Sequence, residues 1–256
     1  MIDYHTHSNY SDGNSTYQEI INRAVENGLQ EIGFSDHLCL HYPGWATDKD
    51  DFESMKQEIT ALQKSTMDIE VKFGLEVDFI NNMENDIRIH LKRFPVDYII
   101  GSVHYIDDWN FDTTSKAYPK KDMNQTYQKY FDLLQQAAIS GLFDVMGHID
   151  VIKKFNFYPD FELKPYYNKA AETFSKSGVV FELNTSGLDK PCKEFYPSDQ
   201  FLKSCFDKNV PVTLGSDAHL PGQVARHFPQ AVAKLKNIGY RKVTTFKSRK
   251  RSYIDL

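Results

Sequence analysis

Six of the nine histidines follow short β-branched and aromatic runs, where the strands of a predicted sheet would end. Two of them, His5 and His7, stand two positions apart, so the period of a strand places both imidazoles on one face. Asp217 and His219 repeat that spacing, and Glu76 ends another run. Imidazole and carboxylate groups are the ligands that hold zinc, iron and manganese. The set therefore predicts a metal site, although one histidine alone at a strand end is more often a hydrogen-bonded core residue.

The segments around these residues alternate between strands and helices along almost the whole chain. Apolar runs predict strands near residues 2–5, 31–36, 71–76, 98–103, 144–147, 179–183 and 210–215. Before the first helix, Ser15-Thr16-Tyr17-Gln18 has the spacing of a capping box. The run at 242–246 is a weak eighth strand, because nothing after it would pack on it. Parallel strands joined by helices form either an open doubly wound sheet or a closed α/β barrel.

The positions of the polar residues favour closure of the sheet. In a barrel the C-terminal ends of all strands meet at one face, whereas an open sheet would hold strands one and seven apart. The chain has no Ser/Gly/Pro-rich linker and no internal repeat, which predicts one domain over residues 1–256. His41, His90 and His227 fall in loops or helices, and we interpret them as structural.

Composition limits the partners and the location of the protein. Thirty basic and 35 acidic residues give a net charge of −5, which creates no general field for nucleic acid or an anionic membrane. No apolar run approaches the ~18 residues of a membrane span, and the N-terminus does not resemble a signal peptide. Three cysteines without a CxxC pair predict a reducing, cytoplasmic location. Lys247, Arg249, Lys250 and Arg251 are interpreted as a solvated basic tail.

Several short motifs coincide with the residues singled out above. They include His5-Thr6-His7, Ser11-Asp12-Gly13, Ser35-Asp36-His37, Gly74-Leu75-Glu76, Val103-His104, Gly147-His148-Ile149-Asp150 and Gly215-Ser216-Asp217-Ala218-His219. Together they resemble the polymerase and histidinol phosphatase (PHP) superfamily, and within it the monofunctional histidinol-phosphate phosphatases. The resemblance runs from His5 to Phe228. It implies a distorted (β/α)7 TIM-like barrel that holds three divalent transition-metal ions, with zinc, iron and manganese as candidates.

The resemblance also implies a set of ligands. The first ion would be held by His5, His7, Glu76 and Asp217, the second by Glu76, His104 and His148, and the third by Asp12, His37 and His219. Glu76 would bridge two ions, and Glu76, Asp217 and His219 would be the catalytic residues. Asp12 precedes Gly13 and also fits a turn position. Asp150 is expected to orient a ligand histidine.

The activity implied is hydrolysis of a small phosphomonoester, L-histidinol phosphate, in histidine biosynthesis. A water between two ions would attack phosphorus in line, without a covalent intermediate. Where this family often has arginine, the chain reads Lys153-Lys154 and Asp189-Lys190, so Lys154 and Lys190 are the candidate phosphate-binding residues. The alternatives are another phosphoester, such as a nucleotide or phosphotyrosine, and a nucleic-acid-processing PHP module. The acidic charge balance argues against the last of these.

Overall fold

The structure is a computed structural model that describes residues 1–41, 43–48 and 51–256. The strands are β1 (Ile2–Asp3), β2 (Glu31–Phe34), β3 (His37–Leu38), β4 (Glu70–Asp78), β5 (Tyr98–Ser102), β6 (Tyr105–Ile106), β7 (Trp109–Asn110), β8 (Val145–Met146), β9 (Val180–Asn184), β10 (Val212–Gly215), β11 (Lys242–Lys247) and β12 (Lys250–Asp255). The α-helices are α1 (Tyr17–Glu26), α2 (Phe52–Ser65), α3 (Glu84–Leu91), α4 (Met123–Ile139), α5 (Lys164–Ser177), α6 (Asp199–Asp207) and α7 (Phe228–Ile238).

The main sheet is parallel and closes into a barrel. Its order is β1, β2, β4, β5, β8, β9, β10, and β3 extends the line of β2 beside β4. Closure occurs because β1 also meets β10. The amide of Tyr4 donates to the carbonyl of Leu214 at 3.0 Å, and Thr6 forms a parallel bridge with Ala218. The predicted distorted (β/α)7 barrel is confirmed, and the open sheet is excluded.

Helix α1 begins one residue later than the sequence pattern predicts. Its N-cap is Thr16, whose hydroxyl accepts from the amide of Glu19, while the Glu19 carboxylate accepts from the Thr16 amide at 2.8 Å. The prediction that the box starts at Ser15 is therefore wrong by one position. The sequence contains both spacings, and a carboxylate accepts a hydrogen bond more strongly than the amide of Gln18 does.

Two tyrosine rings fill the barrel interior near the N-terminal ends of the strands. Tyr4 and Tyr98 are fully buried and stack with ring centroids 4.7 Å apart. Gly33 and Gly74 make room for them, because a Cβ at either position would collide with Tyr98. This end of the barrel is thus packed, and the candidate ligands gather at the other end.

The predicted eighth strand exists but does not join the barrel. Strand β11 pairs antiparallel with β12, which contains part of the basic run. The four basic residues are exposed, as predicted, but they belong to an ordered hairpin and not to a tail. Phe246 packs against Tyr4 and Tyr98, with ring centroids 6.2 and 6.1 Å away. At the turn, Arg249 Nε donates to Asp144 Oδ2 at 2.8 Å. The hairpin therefore covers the base of the barrel. Among the described residues, every helix is too short or too polar to cross a membrane.

Candidate metal centre

The candidate ligands predicted from the sequence meet at the C-terminal end of the barrel. Three overlapping groups have ligand atoms that lie within 4.8 Å of one another: His7, Asp12, His37 and His219; His5, Glu76 and His148; and His5, His7 and Asp217. Strand register contributes directly, since His37 on β3 lies opposite Glu76 on β4. The predicted convergence of these side chains on one face is therefore present.

The distances around Glu76 and Asp217 suit a metal polyhedron. Two ligands that each lie about 2.0–2.1 Å from zinc are about 3.0–3.5 Å from each other. His7 Nε2 is 3.5 Å from both Glu76 Oε2 and Asp217 Oδ1, and His5 Nε2 is 3.0 Å from Glu76 Oε2. His5 Nε2 and both ring nitrogens of His7 are buried without a hydrogen bond in the described part of the chain. Burying a polar atom without a partner costs free energy, so these nitrogen atoms are suited to bind a cation.

A second set of contacts surrounds His104 and His148. Their Nε2 atoms are 3.2 Å apart, and His148 Nε2 is 2.9 Å from Glu76 Oε1. His104 Nδ1 lies 2.9 Å from Asp78 Oδ1. Burial acts to lower the pKa of His104, but the Asp78 carboxylate outweighs burial and raises that pKa to about 10. The pocket therefore attracts positive charge, and a divalent ion that replaces the proton would suit the same atoms.

The third set joins the loop after β1 to β3 and to the turn after β10. Asp12 Oδ1 is 3.2 Å from His219 Nε2 and 3.5 Å from His37 Nε2. Burial acts to raise the pKa of Asp12, but the two imidazoles outweigh it and lower that pKa to about 2. Burial acts to lower the pKa of His219, whereas Asp12 and Asp217 raise it to about 9. Asp12 is thus a charged partner of two imidazoles in addition to being a turn residue.

Sequence reasoning gave no role to Glu182, which organises two of the candidate ligands. Its Oε1 lies 2.7 Å from His5 Nδ1, and its Oε2 accepts from the amide of His148 at 2.8 Å. Glu182 is buried, and Gly215 permits its close approach, since a Cβ at that position would collide with Oε1. The available signal was an ionisable residue inside the apolar run at 179–183. With Nδ1 of His5 engaged by a carboxylate, Nε2 is left to face a metal ion.

Arg226 is a second residue that sequence reasoning missed. Asp217 has φ +53°, a left-handed conformation of the kind that clusters at functional sites. Arg226 holds this turn, because its Nε donates to the carbonyl of Ser216 and its Nη2 to that of Asp217, both at 2.8 Å. Asp189, the residue found where arginine was expected, pairs with Arg226 at 3.3 Å and with His227 at 2.9 Å.

The predicted phosphate-binding lysines both line a cavity of about 430 Å³ that opens onto the candidate ligands. Lys154 Nζ donates to the carbonyl and to Oδ2 of Asp112, at 2.8 and 2.7 Å. Lys153 is buried instead and lies 3.0 Å from Asp150 Oδ2. The side chain of Asp150 contacts Lys153 and the amide of Ser198. Among the described residues it therefore does not orient a ligand histidine, contrary to expectation.

The three histidines interpreted as structural stay outside the three ligand groups of the described residues. His90 Nδ1 lies 3.1 Å from the carbonyl of Asp86 on the same helix, and His227 pairs with Asp189. His41 lines a different cavity, together with Tyr105. None of the three cysteines forms a disulfide.

A parallel barrel with such a cluster at the C-terminal ends of its strands is typical of metal-dependent hydrolases. Comparison with known proteins gives the family. The PHP domain model matches residues 3–186, and the chain belongs to the PHP family, as the motifs predicted. A probable histidinol-phosphatase of Deinococcus radiodurans is 34% identical over an alignment of 258 residues, which covers 98% of each chain. The histidinol-phosphatase of Lactococcus lactis is 26% identical, over 97% of this chain and 95% of that one.

The fold has a close counterpart among solved structures. The crystal structure of histidinol phosphate phosphatase from Lactococcus lactis, complexed with zinc, L-histidinol and phosphate, matches with a TM-score of 0.85. The match covers 98% of both chains at 22% sequence identity. The similarity therefore extends over the whole barrel and its C-terminal hairpin.

Proposed function

We propose that this chain is a metal-dependent phosphomonoesterase that hydrolyses L-histidinol phosphate to L-histidinol and phosphate, in histidine biosynthesis. The observation that carries the proposal is the set of overlapping ligand groups beside a cavity that Lys154 and Lys190 line. Relatives whose names give this activity align over nearly the whole chain, which supports the choice of substrate. We take residues 1–256 as one phosphoesterase domain that works in the cytoplasm.

Three divalent transition-metal ions, with zinc, iron and manganese as candidates, would share the ligands. The proposed assignment gives the first ion His5, His7, Glu76 and Asp217, the second Glu76, His104 and His148, and the third Asp12, His37 and His219. Glu76 suits a bridging role, because Oε2 faces His5 while Oε1 faces His148. Ions held there would supply an activated water and offset the charge that develops during phosphoryl transfer.

The protein's own residues would position the substrate and maintain the charge of the cluster. Glu76 and Asp217 act as carboxylates, since neighbouring imidazoles outweigh the burial that would raise their pKa and hold the pKa of each well below its usual range. His219 lies between Asp12 and Asp217, at the rim of the cavity. Lys154 and Lys190 would bind the phosphate as point charges.

The test is a phosphatase screen on protein stripped of metal and reloaded with zinc, manganese or iron. L-Histidinol phosphate should be hydrolysed with the highest kcat/KM, ahead of nucleoside monophosphates and phosphotyrosine, and metal analysis should give two or more ions per chain. Faster hydrolysis of a nucleotide or of phosphotyrosine would overturn the substrate while leaving the phosphoesterase class. Cleavage of single-stranded RNA or DNA, without release of phosphate from small esters, would overturn the class as well.

A further inference from the structure

Asp112 differs from the other carboxylates that line the cavity. Asp12, Glu76 and Asp217 each lie within ligand distance of imidazoles, and Asp112 belongs to none of the ligand groups found in the described part of the chain. The position of Asp112 is nevertheless fixed relative to them, since the amide of Phe111 donates to the carbonyl of His104 at 3.1 Å. A negative charge is thus held beside a site proposed to take a phosphate dianion.

The charge of Asp112 is balanced by Lys154. Nζ of Lys154 lies 2.7 Å from Asp112 Oδ2, and the pair is mostly buried, with side chains 15% and 26% exposed. Burial acts to raise the pKa of Asp112, but the Lys154 ammonium outweighs burial and keeps that pKa below its usual value. The other oxygen, Oδ1, receives no hydrogen bond from the described residues. The carboxylate is therefore ionised and has unused capacity to accept hydrogen bonds.

We propose that Lys154 and Asp112 form an exchangeable ion pair that selects phosphomonoesters with an ammonium group next to the phosphate. The substrate's phosphate forms an ion pair with Lys154, and the substrate's ammonium group replaces Lys154 as the partner of Asp112. The inference rests on the proposed function for its phosphate end. L-Histidinol phosphate meets the requirement, because its amino group and its phosphate ester stand on adjacent carbons and can reach two groups that touch each other.

The selection comes from the cost of an unpaired charge. A phosphomonoester without an ammonium group that draws Lys154 away leaves Asp112 without a counter-ion in a mostly buried position, which is strongly unfavourable. A zwitterionic substrate supplies the counter-ion and avoids that cost. Discrimination is then achieved by a penalty against the wrong ligand as well as by a contact with the right one.

The test compares Asp112→Asn with the wild-type protein on L-histidinol phosphate and on its deamino analogue, which has hydrogen in place of the amino group. The variant should lose about ten- to a hundredfold in kcat/KM for L-histidinol phosphate, the value of one charge-assisted contact. For the deamino analogue, kcat/KM should stay the same or rise, because the penalty is removed. Metal content should not change. Asp108→Asn removes the same charge from a side chain that is 94% exposed and outside this cavity, and it should alter neither rate.

An equal fall on both compounds would overturn the inference, since Asp112 would then only orient Lys154. A wild-type protein that shows no preference for the aminated compound would also overturn it, while the proposed function would stand. If the wild-type protein hydrolyses neither compound, the proposed function fails, and ethanolamine phosphate and ethyl phosphate provide the same comparison. A preference for ethanolamine phosphate that disappears in Asp112→Asn would then support the ion pair, and no preference would refute it.

Discussion

Replacing Glu182 with glutamine should weaken metal binding without abolishing it. Both oxygens of Glu182 act as acceptors, one opposite His5 Nδ1 at 2.7 Å and the other opposite the amide of His148 at 2.8 Å. A glutamine keeps the shape but has only one oxygen, so its NH₂ group must face either His5 Nδ1 or the amide of His148. The loss of one buried hydrogen bond to a charged acceptor is worth about 1.5–3 kcal/mol, or about ten- to a hundredfold in affinity.

The assay for Glu182→Gln is competition with a chelator, which gives the zinc dissociation constant of the tightest site, together with kcat/KM at limiting zinc. The dissociation constant should rise, and kcat/KM should fall, each by about ten- to a hundredfold. Glu194→Gln is the matched control, because it removes the same charge from an ion pair with Lys153 outside the ligand groups. Zinc affinity within about twofold of the wild-type value would refute the role that we give to Glu182.

The other predictions concern the ligands and the hairpin. His104→Ala should remove one ion per chain and most activity, whereas His90→Ala should leave both intact; equal losses in metal analysis and kcat would contradict our separation of ligand from structural histidines. Asp12→Asn should lower the occupancy of a single ion, because an amide oxygen is a poorer ligand, and an anomalous-scattering map with every ion at full occupancy would count against it. Arg249→Ala should lower the free energy of unfolding in urea by about 1 kcal/mol relative to Lys250→Ala, and no difference between the two would show that the turn does not anchor the hairpin.

Much of the barrel and of its ligand cluster was predictable from spacing alone. The HxH pair after β1 and the DxH pair after β10 are polar residues at strand ends, where periodicity places both side chains of a pair on one face. Their shared chemistry requires the first and last barrel strands to meet, which the contact between Tyr4 and Leu214 provides. Local pattern and global topology agree here, so a single sequence was enough.

What escaped prediction depends on contacts between segments far apart in the chain. Glu182 lies in a run of strand-forming residues, and its importance comes from His5, which belongs to another strand. Arg226 donates hydrogen bonds to backbone carbonyl groups, and because every residue has such a group, the sequence does not show which ones it contacts. The basic run near the C-terminus is exposed, as its charge indicates, but charge alone does not reveal the hairpin or the ion pair by which Arg249 at its turn contacts Asp144.

The contact between β1 and β10 makes the barrel a ring with a seam that joins the beginning of the chain to its last third. His5 and His7 stand on one side of that seam, and Asp217 stands on the other. An ion bound to residues on both sides would hold the two strands together, and the barrel would open at this seam only after the ion is released. A ligand that binds only the closed form at a thousand times its dissociation constant adds about 4 kcal/mol to stability. Newly made chains would therefore have an open seam, exposed to proteolysis, until β10 and the turn that carries Asp217 have emerged and docked.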